Sequence, residues 1–375
     1  MNIKIAVITE SINNHSGARA PLELAKNLSL LGNEIRVYSY NNNLDKTALK
    51  ELKASKVTAS LLSKIRTPFL SRSLPDLRLT KKIWQDKPQV IIFCGSFPSF
   101  WGSRLTFIPL IRIYMGTQFG AFKENFLPNT KLSPIQLAIN LLTDCFIFLT
   151  ELLMVYSASY VIAISNYAAV ELKRLYNKKA NKVIYLGGNH LRHTKPSKFR
   201  KISNLISVSR ITPYKGLHLL IDSLRDYLIK NNLTFTIVGT KVKANYFKYL
   251  KKIAGRGIKF VINPSDKELA KLYEQSDLYI SADKYLFFGL PISEVAFFAK
   301  PAISLDFGAA KELINNNQTG FIAKNTNELV PLIDKLLKKP SLRVKMGQNA
   351  KKRASQLFNW REISLIYLRF IKSIL

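Results

Sequence analysis

Residues 205–239 read LISVSRITPYKGLHLLIDSLRDYLIKNNLTFTIVG. Leu205–Ser209 is a short run of mostly branched apolar residues, the pattern of a strand buried on both faces. Leu217–Ile229 has helical spacing, and Thr234–Gly239 returns to strand composition. A strand, a crossover helix and a second strand in so short a stretch make a βαβ unit, and βαβ units build parallel sheets.

The same alternation extends in both directions. Downstream come a helix at Tyr246–Ala254, a strand at Lys259–Ile262, a helix near Lys267–Glu274 and a strand at Asp277–Ser281. A helix after Pro291 and a strand at Ala302–Leu305 follow. Upstream, Lys4–Thr9, Glu34–Tyr40, Val90–Cys94, Arg112–Met115 and Tyr160–Ile164 read as strands. Arg19–Leu31 reads as a helix closed by Gly32. Ser55–Lys82 is less regular and is expected to hold loops and short helices. Lys182–Leu186 is a strand, Gly187-Gly188 a turn, and His193–Lys201 a basic stretch with Pro196. That break implies two doubly wound α/β domains, residues 1–190 and 191–357. Phe358–Leu375 reads as a helix that crosses back to brace the first.

The 375 residues include 57 Lys and Arg against 24 Asp and Glu, a net charge of +33. Hydrophobic residues make up 47%, which suits two cores and excludes a disordered or collagen-like chain. Cys94 and Cys145 are too few for a disulfide scaffold or a Cys-based zinc site and read as buried thiols. His15, His190, His193 and His218 show no metal-ligand spacing, so no metal is expected. The bases are spread along the chain. Nucleic acid, an anionic membrane or a phosphorylated substrate each suit such a field, as does a solvated basic surface. No RRM, KH or zinc motif accompanies the charge, so a nucleic-acid partner is not expected. Met1–Thr9 is apolar, but Glu10 closes it without a cleavage pattern, and no signal peptide is expected. Ile135–Ile164 is the most lipid-like stretch. Asp144 and Glu151 argue against a spanning helix, leaving a packed core helix, the commoner case, or one whose apolar face touches a bilayer.

Three constellations suit anion chemistry. In Ser209-Arg210-Ile-Thr-Pro-Tyr-Lys215-Gly216, a cation stands at each end of a strand-to-helix loop, with a helix N-terminus behind, as a diphosphate requires. The same loop also reads as a turn with solvated bases. In Phe287-Phe288-Gly289-Leu290-Pro291-Ile-Ser-Glu294, Gly289 permits close backbone approach and Pro291 suits a helix start. Glu294, placed in the first turn of that helix, suits either sugar hydroxyls or a dipole-stabilised cap. In Ser16-Gly17-Ala18-Arg19, Gly17 opens space for a ligand and Arg19 can face a phosphate; a plain turn is the competing reading.

Taken in order, VSRITPYKGLHLLI, FTIVGT and FFGLPISEVAFFAKPAISLDFGAAKELI resemble the group 1 glycosyltransferases, retaining enzymes of glycosyltransferase family 4. The turn Leu186-Gly-Gly-Asn189 and the closing Phe358-Asn-Trp360 belong to the same pattern, and SGARAPLELAKNLSLLGNEIRVYS resembles the family's opening more weakly. The resemblance implies a GT-B architecture, two Rossmann-like domains facing a cleft, with 358–375 crossing back. It implies a UDP- or GDP-sugar donor held by the C-terminal domain and a saccharide or lipid-linked saccharide acceptor approached from the N-terminal one. By similarity, Arg210 and Lys215 bind the donor diphosphate, Glu294 holds the ribose, and backbone amides at Gly289 and Leu290 face phosphate or sugar. No cofactor or metal is implied.

Two positions depart from the pattern. Leu286 stands where the family usually has the first Glu of an E-x7-E pair, with Asp283 close by as a substitute carboxylate. Gly116-Thr-Gln118 stands where a His is frequent, and Gln118 can donate a hydrogen bond without carrying a proton. The alternatives are therefore a catalytically silent GT-B subunit that binds a nucleotide sugar or partners an active transferase, and, less favoured by the GLPxxE form, an epimerase. A cytoplasmic placement is expected, peripheral on the inner membrane face. The mixed run Lys64, Arg66, Arg72, Arg78, Lys81, Lys82 and Lys87 with interspersed Leu, Ile and Phe suits an anionic membrane surface or a solvated face in equal measure.

Overall fold

Branched apolar runs pair into two parallel sheets, with helices as the crossovers between strands. The computed structural model describes residues 2–14, 18–39, 44–62, 76–95, 97–119, 133–191, 204–240 and 244–375. The chain divides into two compact units: Met1–Phe119 with Leu141–Leu186 and Trp360–Leu375, and Gly120–Asn140 with Gly187–Asn359.

In the first unit the elements are β1 (Lys4–Thr9), α1 (Arg19–Leu30), β2 (Glu34–Ser39), α2 (Lys46–Ala54), β3 (Thr58–Leu61) and α3 (Leu77–Asp86). They continue through β4 (Val90–Cys94), α4 (Phe97–Arg104), β5 (Leu110–Tyr114), α5 (Pro134–Ser157, in this unit from Leu141 onward), β6 (Tyr160–Ala163), α6 (Asn166–Tyr176) and β7 (Lys182–Val183). The strand order is β3-β2-β1-β4-β5-β6-β7, with parallel pairing throughout. β1 and β4 at its centre are almost wholly buried, which is why their sequences run apolar without alternation.

The second unit holds β8 (Asn204–Val208), α7 (Leu217–Lys230), β9 (Thr234–Gly239), α8 (Ala244–Ile253), β10 (Ile258–Ile262) and α9 (Asp266–Gln275). It goes on with β11 (Leu278–Ser281), α10 (Leu290–Phe297), β12 (Ala302–Leu305), α11 (Ala310–Leu313), β13 (Gly320–Ala323), α12 (Leu329–Lys338) and α13 (Pro340–Leu357). Its strands run β10-β9-β8-β11-β12-β13, again parallel. Leu220, Ile221 and Leu224 of α7 pack with Phe235, Ile237, Ile280 and Ile333 in one core. α9 opens on a capping box between Ser265 and Glu268, two orphan amides satisfied reciprocally.

α14 (Trp360–Ile374) belongs to the first unit and packs on α1. Trp360 and Tyr367 line an apolar pocket there with Ala20, Leu24, Cys94 and Ile113.

Several sequence expectations change. Thr58–Leu61, inside the stretch read as loops and short helices, is an edge strand paired only to β2. Its residues are half-buried or exposed, so it lacks the apolar signature of its neighbours. The strand expected over Lys182–Leu186 pairs only at Lys182 and Val183. α5 is not a core helix. Its buried residues are Asp144, Thr150, Glu151, Met154 and Val155, and most of its apolar side chains face outward. Cys145, on the same helix, is exposed rather than buried. Lys64, Arg66 and Arg72 of the basic run, and the stretch His193–Lys201, lie outside the described residues.

A Cβ at Gly239 would fall 1.7 Å from the Ser209 carbonyl oxygen, and backbone cannot yield as a side chain does. Gly239→Ala is expected to cost about 1–3 kcal/mol and to lower the unfolding temperature in calorimetry; an unchanged transition contradicts the packing. Burial pushes the Cys94 thiol up to about 12, so it carries almost no thiolate at pH 8. Alkylation of the native protein at that pH should modify Cys145 and spare Cys94, read by peptide mass mapping. Equal labelling overturns the placement.

Candidate functional site

In the second sheet the chain moves outward from β8 to β9 and β10, then returns to β11 on the other flank. The loops leaving the carboxyl ends of β8 and β11 therefore part in opposite directions, and such a switch point is where open α/β sheets bind ligands. Ser209–Gly216 is the first loop and Ala282–Gly289 the second.

Four contacts join the two loops. Gly216, at φ +65°, approaches Ala282 so closely that a Cβ would lie 2.4 Å from its carbonyl oxygen. The Lys284 amide donates to the Tyr214 carbonyl at 3.1 Å. The Tyr214 and Tyr285 rings meet edge-on at 5.8 Å. Lys215 donates to the carboxylate of Asp283, whose other oxygen accepts from the Tyr285 amide at 2.9 Å.

Arg210 and Lys215 share one ring. The Arg210 guanidinium carbon lies 5.7 Å from the Tyr214 ring centroid and the Lys215 ammonium 5.1 Å. A cation over an aromatic face is held electrostatically without being neutralised. Arg210 is exposed, and Lys215 is mostly buried beside Asp283. An exposed guanidinium and an ammonium paired to Asp283 thus stand ordered at the switch point, next to the start of α7.

α10 begins at Gly289, where φ is +94°, a conformation that favours glycine. Pro291 has no N–H and the Ile292 amide donates to the Gly289 carbonyl at 3.0 Å, so an anion at this helix start would meet the amides of Gly289 and Leu290. Glu294 falls just past the first turn of α10, not within it as the sequence alone implies. It is 5% exposed. Tyr273 donates to its Oε2 at 2.7 Å, and His190 Nε2 lies 3.4 Å from its Oε1. Gly188 brings that histidine in, since a Cβ there would sit 2.6 Å from the Ser293 backbone. Neither Tyr273 nor His190 stands out in the sequence as a site residue; the sole signal is the Gly-Gly turn just before His190. Leu286 is buried, with its side chain under Gly289 near Leu313. The position offers apolar packing, and Asp283, the nearby carboxylate, is engaged with Lys215.

Of the remaining candidates, Arg19 and Gln118 lie in the first unit. Arg19 is buried at the start of α1, donating to the Asn14 carbonyl at 2.7 Å and lying 3.7 Å from Glu23. Gly17 lies outside the described residues. Gln118 is exposed on the loop after β5. Its backbone N–H donates to Glu151 Oε1 at 3.1 Å, and the Thr117 hydroxyl donates to Oε2 at 2.6 Å. Tyr176 also donates to Glu151, and the buried Arg112 donates to the Glu151 carbonyl at 3.1 Å. Glu151, which in the sequence only interrupts an apolar stretch, holds this loop in place. Among the described residues, no group of three His, Cys, Asp or Glu side chains is placed to hold a metal.

Residues 192–353 match the family described as glycosyl transferases group 1. A probable sucrose-phosphate synthase of Thermosipho melanesiensis is 28% identical over 47% of this chain and 42% of its own length. The capsular polysaccharide biosynthesis glycosyltransferase CapM of Staphylococcus aureus is 24% identical over 60% of this chain and 66% of its own. The matched region thus spans less than two thirds of either relative. Among solved structures, Anabaena HepE in complex with UDP and glucose superposes with a TM-score of 0.77 at 19% identity, covering 99% of this chain and all of that one. A Rickettsia africae glycosyltransferase gives 0.74 at 22% identity, covering 100% and 99%. The fold is the GT-B pattern of two Rossmann-like domains.

Tyr273→Phe removes one of the bonds to Glu294 and leaves the ring in place. The expected cost is about 0.5–1.5 kcal/mol, seen as a lower unfolding temperature, whereas an unaltered temperature would show that the bond contributes nothing.

Proposed function

We propose that this chain, whose residues 192–353 match the glycosyl transferases group 1 family, is a retaining glycosyltransferase of family 4. It moves a hexosyl group from a UDP- or GDP-sugar to a saccharide or lipid-linked saccharide on the cytoplasmic side of a membrane. The observation that carries this reading is the pair Arg210 and Lys215, ordered on one tyrosine ring at the switch point of the second sheet. Breaking the bond between the sugar and the diphosphate leaves negative charge on the departing nucleotide. Cations already in position stabilise that charge without reorganising, and so lower the barrier rather than merely tightening ground-state binding. Two side-chain cations supply what a divalent ion supplies elsewhere, so the reaction is proposed to proceed without metal.

Donor binding replaces an existing contact. Lys215 is joined to Asp283, so a diphosphate reaching Lys215 competes with that carboxylate or shares the ammonium with it. Glu294 serves the donor ribose in this reading, with Tyr273 and His190 fixing the carboxylate's orientation. HepE, solved in complex with UDP and glucose, supports a nucleotide-sugar donor. CapM, a glycosyltransferase of capsular polysaccharide biosynthesis, supports a saccharide product. Leu286, in the place of the family's usual carboxylate, favours a second reading, a silent subunit that binds a nucleotide sugar without turning it over.

The test is transfer or hydrolysis of UDP- and GDP-sugars by the purified protein, with and without EDTA. Turnover that survives EDTA is expected, and strict metal dependence would sink the mechanism. Arg210→Ala and Lys215→Ala should each raise the barrier by ~2–4 kcal/mol, chiefly in kcat, while Glu294→Gln should chiefly raise KM for the donor. Full activity in the Arg210→Ala/Lys215→Ala protein refutes the assignment. A thermal shift with nucleotide sugars but no turnover selects the silent subunit.

A further inference from the structure

We propose that the outward stripe of α5 is the surface by which this protein lies on an anionic lipid bilayer. From Leu142 onward the helix has two faces. Asp144, Thr150, Glu151, Met154 and Val155 turn inward, where Glu151 anchors the Thr117–Gln118 loop. Leu142, Phe146, Leu149, Leu153 and Tyr156 turn outward, 70%, 48%, 54%, 38% and 53% exposed. They recur every three or four residues and so form one continuous stripe, about 21 Å long at 1.5 Å per residue. Single exposed apolar side chains are ordinary on a protein surface, but a contiguous stripe without a charge on it marks an interaction face.

Charge at the stripe's end identifies the occupant. Tyr156 donates to the Tyr176 carbonyl at 2.9 Å, and the Lys178 ammonium sits 5.4 Å from the Tyr156 ring centroid. Around Lys178, the side chains of Lys173, Arg174, Lys179 and Lys182 are exposed. The acid in this stretch, Glu171, is paired with Arg174 at 2.7 Å. An uncharged apolar stripe flanked by a tyrosine and a cluster of cations has the two kinds of group that a helix lying on an anionic membrane uses, apolar side chains that dip in and bases that meet lipid phosphate. The helix does not span, because its inner face is committed to the first unit through Glu151 and its neighbours. It gives the lipid-linked acceptor of the preceding reading a surface to approach from.

Binding is measured without donor or acceptor, so its failure leaves the transferase reading standing. The probe is sedimentation with vesicles of phosphatidylcholine alone or mixed with phosphatidylglycerol, at low and high salt. Binding to the mixed vesicles at low salt is expected, weakened by salt and roughly tenfold or more by Phe146→Glu with Leu149→Glu. Lys178→Ala with Lys179→Ala should weaken it on mixed vesicles while leaving the outward stripe unchanged. All four positions are at the surface, and native unfolding temperatures check that the variants are folded. The proposal is overturned if the protein ignores mixed vesicles at low salt, or if the Phe146→Glu/Leu149→Glu protein binds as the unaltered one does. It is equally overturned if light scattering shows a dimer that those two substitutions dissociate, since a second copy then covers the stripe.

Discussion

No side chain can be fitted between the Ser209 carbonyl and Gly239, or between Gly216 and the carbonyl of Ala282. These close backbone approaches at the carboxyl ends of β8, β9 and β11 hold the rest of the site in register. With the loops pressed together, Tyr214 reaches Tyr285 and Lys215 reaches Asp283. A bulkier residue at either glycine would separate the loops and scatter the two cations. The charge arrangement is therefore a consequence of main-chain packing, and the apolar core of α7 against β8 and β9 supplies the rigidity behind it.

Much of this is legible in the sequence, and for physical reasons. Central parallel strands are buried on both faces, so runs such as those of β1, β4 and β12 announce themselves. The edge strand Thr58–Leu61 does not, because half of it meets solvent. Arg210 and Lys215 are readable because they bracket a strand-to-helix loop. Tyr214 is not, although it lies between them, because a ring gains its role from two cations arriving over it in space. His190 and Tyr273 reach Glu294 from distant parts of the chain, and no local spacing encodes that meeting. Leu286 shows both sides. The sequence reveals a Leu where the family it resembles usually has a carboxylate, whereas only the structure reveals that the side chain is a packing element beneath Gly289.

The scarcity of acids shapes the surface as well. With 57 bases and 24 acids, most cations cannot have a carboxylate of their own. Aromatic faces take part of that role. Lys178 lies over Tyr156, Lys251 over Phe247 and Lys335 over Phe321, besides Arg210 over Tyr214. Each such contact contributes ~0.5–1 kcal/mol at an exposed position. Unlike an ion pair, it leaves the positive field intact for an anion approaching from outside.

α14 carries a different kind of consequence, one of timing. Its buried side chains, Trp360, Ile363, Tyr367 and Ile371, complete the apolar packing of the first unit beside α1. They are synthesised after the whole of the second unit. On the ribosome, where domains ordinarily close in the order they emerge, the first unit must wait with part of its interior uncovered until Trp360–Ile374 arrives. The second unit, continuous from Gly187 to Asn359 apart from the short segment Gly120–Asn140, has no such delay. The unit that opens earlier in the sequence is thus sealed after the one that follows it.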